Sequence, residues 1–250
     1  QRKLMSIMPV GEIWGVGSRL KKHLNQMGIT TALDLVDTDA KLIRRKFSVV
    51  LERTVMELRG CPCINLEELP PTKKEIVVSR TFGKKVTSLK SINEAVSDYA
   101  ARASEKLRRE KQYCRVVSVF VRTNPFRSQD QQYSNALSCK LNFPTNDTRD
   151  ILNATKILSK RVYKKGYNFI KAGVMLSDFY DKDVYQPDFF TPNSRQPKSE
   201  ELMQTIDRIN ASRDSKITFA AQGIKKPWSM QRHLQSPRYT TNWNDLLTVR

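Results

Sequence analysis

The sequence predicts an α+β protein: a small all-helical module, then a sheet domain of order β-α-β-β-α-β with four strands, then a mostly irregular and helical C-terminal region. Three observations carry this reading. Apolar residues recur at helical spacing through the first 60 residues. Between residues 74 and 180, runs of branched and aromatic residues alternate with two long amphipathic stretches. Beyond residue 181 the chain turns polar and proline-containing, with a single amphipathic stretch.

In residues 1–60, Ser18 to Met27 reads as a helix with Leu20 and Leu24 on one face, stopped by Gly28. A second helix starts after Thr30-Thr31, and a third runs from about Asp39 with Leu42, Ile43 and Phe47 in phase. Residues 61–73 form a linker, acidic at Glu67 and Glu68 and stiffened by Pro70-Pro71. In residues 74–180 the strands are Ile76–Phe82, Arg115–Thr123, Leu137–Leu141 and Phe169–Leu176. The first helix between them takes Ser91 as N-cap with Glu94 three residues on, then Ile92, Ala95, Val96, Tyr99, Ala103 and Leu107 as its stripe. The second carries Ile151, Ala154, Thr155, Leu158 and Val162 and ends with Lys164-Lys165 before Gly166. Such an order folds as a split β-α-β sheet with both helices on one face, leaving the other face open. On that face Ser118, Arg122, Ser138 and Lys140 alternate against apolar neighbours, whereas Arg80 shares parity with Ile76 and Val78 and leaves the first strand ambiguous. Residues 181–198 are a connector, and 199–250 hold one helix (Leu202, Ile206, Ile209) followed by Trp228, Tyr239 and Trp243 among basic residues. This last region either contacts partners or closes over its own aromatics.

Charge points to a polyanionic partner. The 250 residues include 44 Lys or Arg and 25 Asp or Glu, a net +19. Residues 72–180 hold 22 basic and 9 acidic side chains, a net +13, and so most of the field. With 39% hydrophobic residues the chain can bury a core, which excludes an acidic disordered solvator. No run reaches the roughly 20 apolar residues of a membrane helix. A soluble cytoplasmic protein is expected, and a first residue other than Met reads as a start inside a longer protein. Cys61, Cys63, Cys114 and Cys139 read as reduced thiols, because the close pair has one intervening residue where structural zinc ligands have two to four.

Gly15-Val16-Gly17 has the glycine-apolar-glycine form of a helix-hairpin-helix. Its glycines let the backbone approach a phosphate, and the free amides of the next helix face the anion, with Arg19, Lys21 and Lys22 adding charge. The bland alternative is a tight turn. On the sheet, Arg80, Thr81, Lys84, Lys85 and Arg122 are the expected phosphate ligands, with Gly83 allowing close approach. Gln186-Pro187-Asp188-Phe189-Phe190 sits in the connector as a short peptide with an aromatic plug, suited to a partner's apolar pocket. Phosphate-binding loop, zinc-protease helix and nucleophile elbow are all missing from the sequence. Asp34, Asp37 and Asp39 follow the rhythm of helix caps and a turn rather than of a catalytic floor.

Several stretches together resemble the C-terminal part of bacterial error-prone Y-family DNA polymerases of the UmuC type, the catalytic subunits of DNA polymerase V. They are Trp14-Gly15-Val16-Gly17, Val50-Leu51-Glu52-Arg53-Thr54, Ser79-Arg80-Thr81-Phe82-Gly83, Tyr99-Ala100-Ala101-Arg102-Ala103, Ala172-Gly173-Val174-Met175-Leu176 and Ser236-Pro237-Arg238-Tyr239-Thr240-Thr241. The resemblance runs almost end to end. It implies a helix-hairpin-helix thumb at 1–60, a DNA-binding little finger at 74–180, a sliding-clamp peptide within 181–198 and a C-terminal partner-binding region at 199–250. It further implies translesion synthesis in the SOS response on double-stranded primer-template DNA, in a bacterial cytoplasm and on the nucleoid, with the β sliding clamp, processed UmuD and RecA as partners. Gln186, Asp188 and Phe190 match the family's clamp motif; Phe189, like Pro187, replaces a common leucine but is still a large apolar plug. The family's catalytic carboxylates and their Mg2+ belong to a palm that would precede Gln1, so no cofactor is expected in these residues. A rival class is a non-catalytic DNA-binding and clamp-binding adaptor, which the absence of a palm encoded upstream in frame would favour. RNA binding through the sheet would need an exposed aromatic pair on the central strands, which the sequence lacks.

Overall fold

The computed structural model describes residues 1–64, 72–182, 184, 198–211, 216–230, 235–241 and 243–247. The chain divides into two compact units, Gln1–Pro71 and Thr72–Arg250.

The first unit holds α1 (Arg2–Met5), α2 (Ser18–Gln26), α3 (Ala32–Asp37), α4 (Ala40–Lys46) and α5 (Val49–Leu58). Side-chain caps fix three of the starts. Thr31 forms a reciprocal capping box with Asp34, Asp39 accepts from the Lys41 amide, and Ser48 accepts from the Leu51 amide. The Thr31 and Thr30 amides hold the Asp34 carboxyl down at about 2. Asp34 and Asp39 thus serve helix starts, as their rhythm predicts, whereas Asp37 ends α3 and pairs with Arg2 at 2.8 Å. Val10, Leu24, Leu35, Ile43 and Val55 are fully buried at the centre. Helices α1 and α5 are additions to the sequence reading. Val49, Val50, Thr54 and Val55 disfavour α5 by roughly 0.5 kcal/mol each, whereas burying Leu51 and Val55 returns about 1.5–3 kcal/mol each.

The second unit is the expected split sheet: β1 (Ile76–Val86), α6 (Leu89–Arg109), β2 (Gln112–Thr123), β3 (Ser134–Thr145), α7 (Thr148–Val162) and β4 (Phe169–Asp181). The strand order is β1-β4-β2-β3 and every pairing is antiparallel. Val78, Val174, Val119 and Leu137 are paired across the sheet on the helix side, where α6 and α7 cover them. The apolar stripes of both helices lie in this core. Two boundaries move. Ser88, not Ser91, caps α6, its hydroxyl accepting from the Ser91 amide, so the helix begins one turn earlier. Helix α7 stops at Val162, and Lys164-Lys165 lie beyond it. Burial pushes the Cys114 thiol up to about 12, leaving it unreactive.

Two described stretches of the tail, one helix and the segment around Trp228, are built onto this unit. Helix α8 (Ser199–Ala211) is anchored by fully buried Met203 and by Arg108, whose guanidinium reaches both Asp207 oxygens at 2.6 and 2.7 Å. Farther on, Trp228 enters the core edge-on to Tyr99 (ring centroids 5.7 Å) and Phe82 (6.3 Å), and its carbonyl accepts from the Gly83 amide at 3.1 Å. Of the two open readings of the tail's aromatics, neither describes Trp228, which packs on the sheet domain. Trp243, in contrast, is 85% exposed.

Candidate nucleic-acid interface

In the first unit a short 3-10 turn (Val10–Glu12) leads through buried Ile13 into Trp14-Gly15-Val16-Gly17. Val16 is tucked in, its amide donating to the Ile13 carbonyl at 3.0 Å, while Trp14 is 96% exposed. Gly15 has φ +92°, open to glycine and strained for other residues. Gly17 is the N-cap of α2 and contributes no side-chain cap, so the first amides of α2 face outward without a side-chain acceptor from their cap. A side chain added at either glycine would meet nothing within 4 Å, so the backbone here borders open space. Arg19, Lys21 and Lys22 are exposed next to it, and the Lys21 stem lies against Gly11.

On the open side of the sheet the register sets out three rows. Thr81, Lys171, Arg122 and Ser134 form one; Ser79, Gly173, Phe120 and Ala136 the next; Val77, Met175, Ser118 and Ser138 the third. Small residues dominate. A Cβ on Gly173 would come within 2.4 Å of the Phe120 ring and 2.6 Å of the Ser79 Cβ, so only glycine lets that ring lie down at the centre of the face. Ser118 and Ser138 are bonded hydroxyl to hydroxyl at 2.8 Å. The result is a low, polar surface with cations in a row across β4 and β2.

The predicted ligands do not all share this face. Thr81 and Arg122 do. Arg80 takes the other parity, opposite buried Ala172, and lies on the α6 side of the edge strand; continuous pairing from Ile76 to Thr81 dictates it. The ladder is irregular between Thr81 and Val86, and Gly83, Lys84 and Lys85 line a hollow of about 200 Å3 with Asn124 and Arg127. Lys85 is paired with Asp130 at 2.8 Å and holds that carboxyl below the usual range, so Lys84 is the more available of the two lysines. Lys171 is a candidate ligand that sequence reasoning missed, although its parity with Gly173 and Met175 in a recognised strand was signal enough. The clamp-peptide residues Gln186, Asp188, Phe189 and Phe190 lie outside the described residues. Among the described residues there is no cluster of potential metal ligands, and no helix is long and apolar enough to cross a membrane.

Residues 73–189 match the impB/mucB/samB family C-terminal domain, and residues 200–249 match a domain of unknown function, DUF4113. The chain is 48% identical to the protein UmuC of Salmonella typhimurium over 100% of its own length and 60% of the relative's. It is 50% identical to the protein SamB of the same species over 98% of the chain and 58% of the relative. It is 26% identical to a DNA polymerase IV of Clostridium acetobutylicum over 88% of the chain and 53% of that protein. The chain thus spans about 60% of the length of its curated relatives UmuC and SamB. Residues 73–189 are an impB/mucB/samB family C-terminal domain, and the chain as a whole is homologous to the C-terminal part of the UmuC, ImpB, MucB and SamB proteins.

Proposed function

We propose that this chain is the DNA-gripping and clamp-docking portion of an error-prone translesion DNA polymerase of the SOS response. The observation that carries the reading is the cationic row Lys171–Arg122 on an uncovered sheet face, in a chain about half identical to UmuC. Among the described residues that face carries no reading helix, so its contacts position a duplex backbone without selecting sequence. The outward amides of α2 at Gly17 give a second grip of the same kind. In this reading the carboxylates of nucleotidyl transfer, with their Mg2+, belong to a palm outside these 250 residues, and the protein works in the cytoplasm on the nucleoid. The peptide at Gln186, Asp188, Phe189 and Phe190 docks on the β sliding clamp, and processed UmuD and RecA are the further partners.

The test is a duplex titration at several salt concentrations. Lys84→Glu with Arg122→Glu should weaken primer-template binding and flatten the plot of log affinity against log salt, because fewer counterions are released. Unchanged affinity and slope would remove the sheet face from the interface. Phe189→Ala with Phe190→Ala should leave that titration unmoved and abolish capture by immobilised clamp; retained capture would remove the peptide.

A further inference from the structure

A crevice of about 300 Å3 opens beside the edge of β1 on the α6 side. It is lined by Arg80 from β1, Tyr99 and Arg102 from α6, and Lys226 and Trp228 from the tail, with Asp98 as its carboxylate. Three cations therefore face one anion. Asp98 is already engaged by Lys226, by the Gln222 amide at 3.1 Å and by Arg102 Nε at 3.1 Å. Arg80 donates to its neighbour's carbonyl on Ser79 at 3.2 Å and has no carboxylate partner among the described residues.

Two buried donors line the same walls. Tyr99 is 1% exposed and Trp228 4%, yet the Tyr99 hydroxyl and the Trp228 Nε1 find no hydrogen-bond partner among the described residues. Leaving such groups unsatisfied costs free energy, and an indole N–H can only donate. Burial and the neighbouring Asp98 push the Tyr99 hydroxyl above the ordinary tyrosine range, and the opposing pull of Arg102 and Arg80 places it within electrostatic reach of the cations of the crevice as well. A surplus of positive charge with two unpartnered donors favours an anion. Donors converging from three elements, instead of one planar fork, suit a tetrahedral oxyanion better than a flat carboxylate.

We propose that this crevice binds one phosphate group, supplied by a phosphodiester of a DNA strand lying on the sheet. Thr81 connects the two: it lines the crevice and also begins the open-face row that continues through Lys171 and Arg122. Adjacent strands are about 4.8 Å apart, so a backbone lying on that row reaches the crevice within one or two phosphates. This source of the phosphate rests on the DNA-gripping reading; the crevice chemistry does not.

The test uses the whole 250-residue chain with Tyr99→Phe and Arg102→Gln combined. Tyr99→Phe removes a hydroxyl that has no partner to lose, so it should not destabilise the free protein. Inorganic phosphate, added at constant ionic strength, should raise the melting temperature of the parent and not of the variant, and duplex affinity should fall about tenfold. Phosphate protection lost in the variant with duplex affinity unchanged would keep the crevice as a phosphate site and overturn the strand as its source. Identical responses of parent and variant to both ligands would overturn the site. Should the double variant fail to fold, Trp228→Phe, which keeps an aromatic ring and deletes the donor, replaces it with the same expectations. Weakening of duplex binding by Lys84→Glu with Arg122→Glu, with the crevice variant matching the parent towards both phosphate and duplex, would discard the crevice and leave the DNA reading standing.

Discussion

At the residue scale the two hairpin glycines separate folding from binding. Gly15 at φ +92° needs its glycine for conformation, so Gly15→Ala should cost the first unit about 1–2 kcal/mol of stability. Gly17 has an ordinary φ of −76° and empty space around it, so Gly17→Ala should cost only the N-cap preference for glycine over alanine, about 0.5–1 kcal/mol. Its new methyl would nevertheless occupy the approach of a phosphate to the α2 amides, and duplex affinity should drop several-fold. An unchanged affinity in that variant would make the motif a plain turn. Asp34 offers a pH test with a definite sign. Its folded value of about 2 lies below the ordinary aspartate value of 3.8, so the folded state binds fewer protons, and the stabilisation is complete above about 3.8 and lost as pH falls towards 2. Between pH 5 and pH 2 the parent should therefore lose more stability than Asp34→Asn; parallel melting curves would contradict the capping role. These residues were legible because glycine and cap chemistry are local. The side taken by Arg80 was not, since parity leaves an edge-strand arginine undecided until the pairing partner, Ala172, is known.

At the element scale, alternation and helical stripes located the sheet and both of its helices, because each buries one face against the other. What they located less well was ends and edges. Polar residues of β2 and β3 extend the ladder beyond the apolar runs, since pairing needs backbone alone. For α8 the stripe Leu202, Ile206 and Ile209 was read correctly as amphipathic, yet the fully buried anchor is Met203, and Leu202 is 43% exposed. Which edge of a stripe goes deepest depends on the docking surface, here Arg108. That guanidinium also donates to the Asn146 carbonyl at 2.8 Å and the Thr148 hydroxyl at 2.9 Å, while remaining only 10% exposed. Removing it strands Asp207 and two acceptors, at a cost of roughly 2–3 kcal/mol. Arg108→Ala should accordingly free α8 and speed tryptic cleavage after Arg208, with the melting of the sheet core less affected. Undiminished protection at Arg208 would mean that Met203 and the bonds of Ser199 to Asp147 and of Glu200 to Tyr113 hold the helix without Arg108.

At the scale of the whole molecule, charge and architecture divide the proposed DNA-binding task. Residues 1–60 carry a net +5 and residues 72–180 a net +13, and each unit has its own core and its own candidate phosphate site. The sequence made this division visible through the Pro70-Pro71 linker and the change of period, but it contains no information on whether both units grip one duplex. Salt dependence answers that question, because the slope of log affinity against log salt counts the phosphates neutralised, at about 0.9 per phosphate. Two linked grips on one duplex add their slopes, and the link turns the second contact into an intramolecular one. The intact chain should thus show a steeper slope than residues 72–250 alone and bind far more tightly than an equimolar mixture of the two units. Equal slopes for the intact chain and for residues 72–250 would place the whole grip on the sheet unit and leave the hairpin at Gly15-Val16-Gly17 without a role in duplex binding.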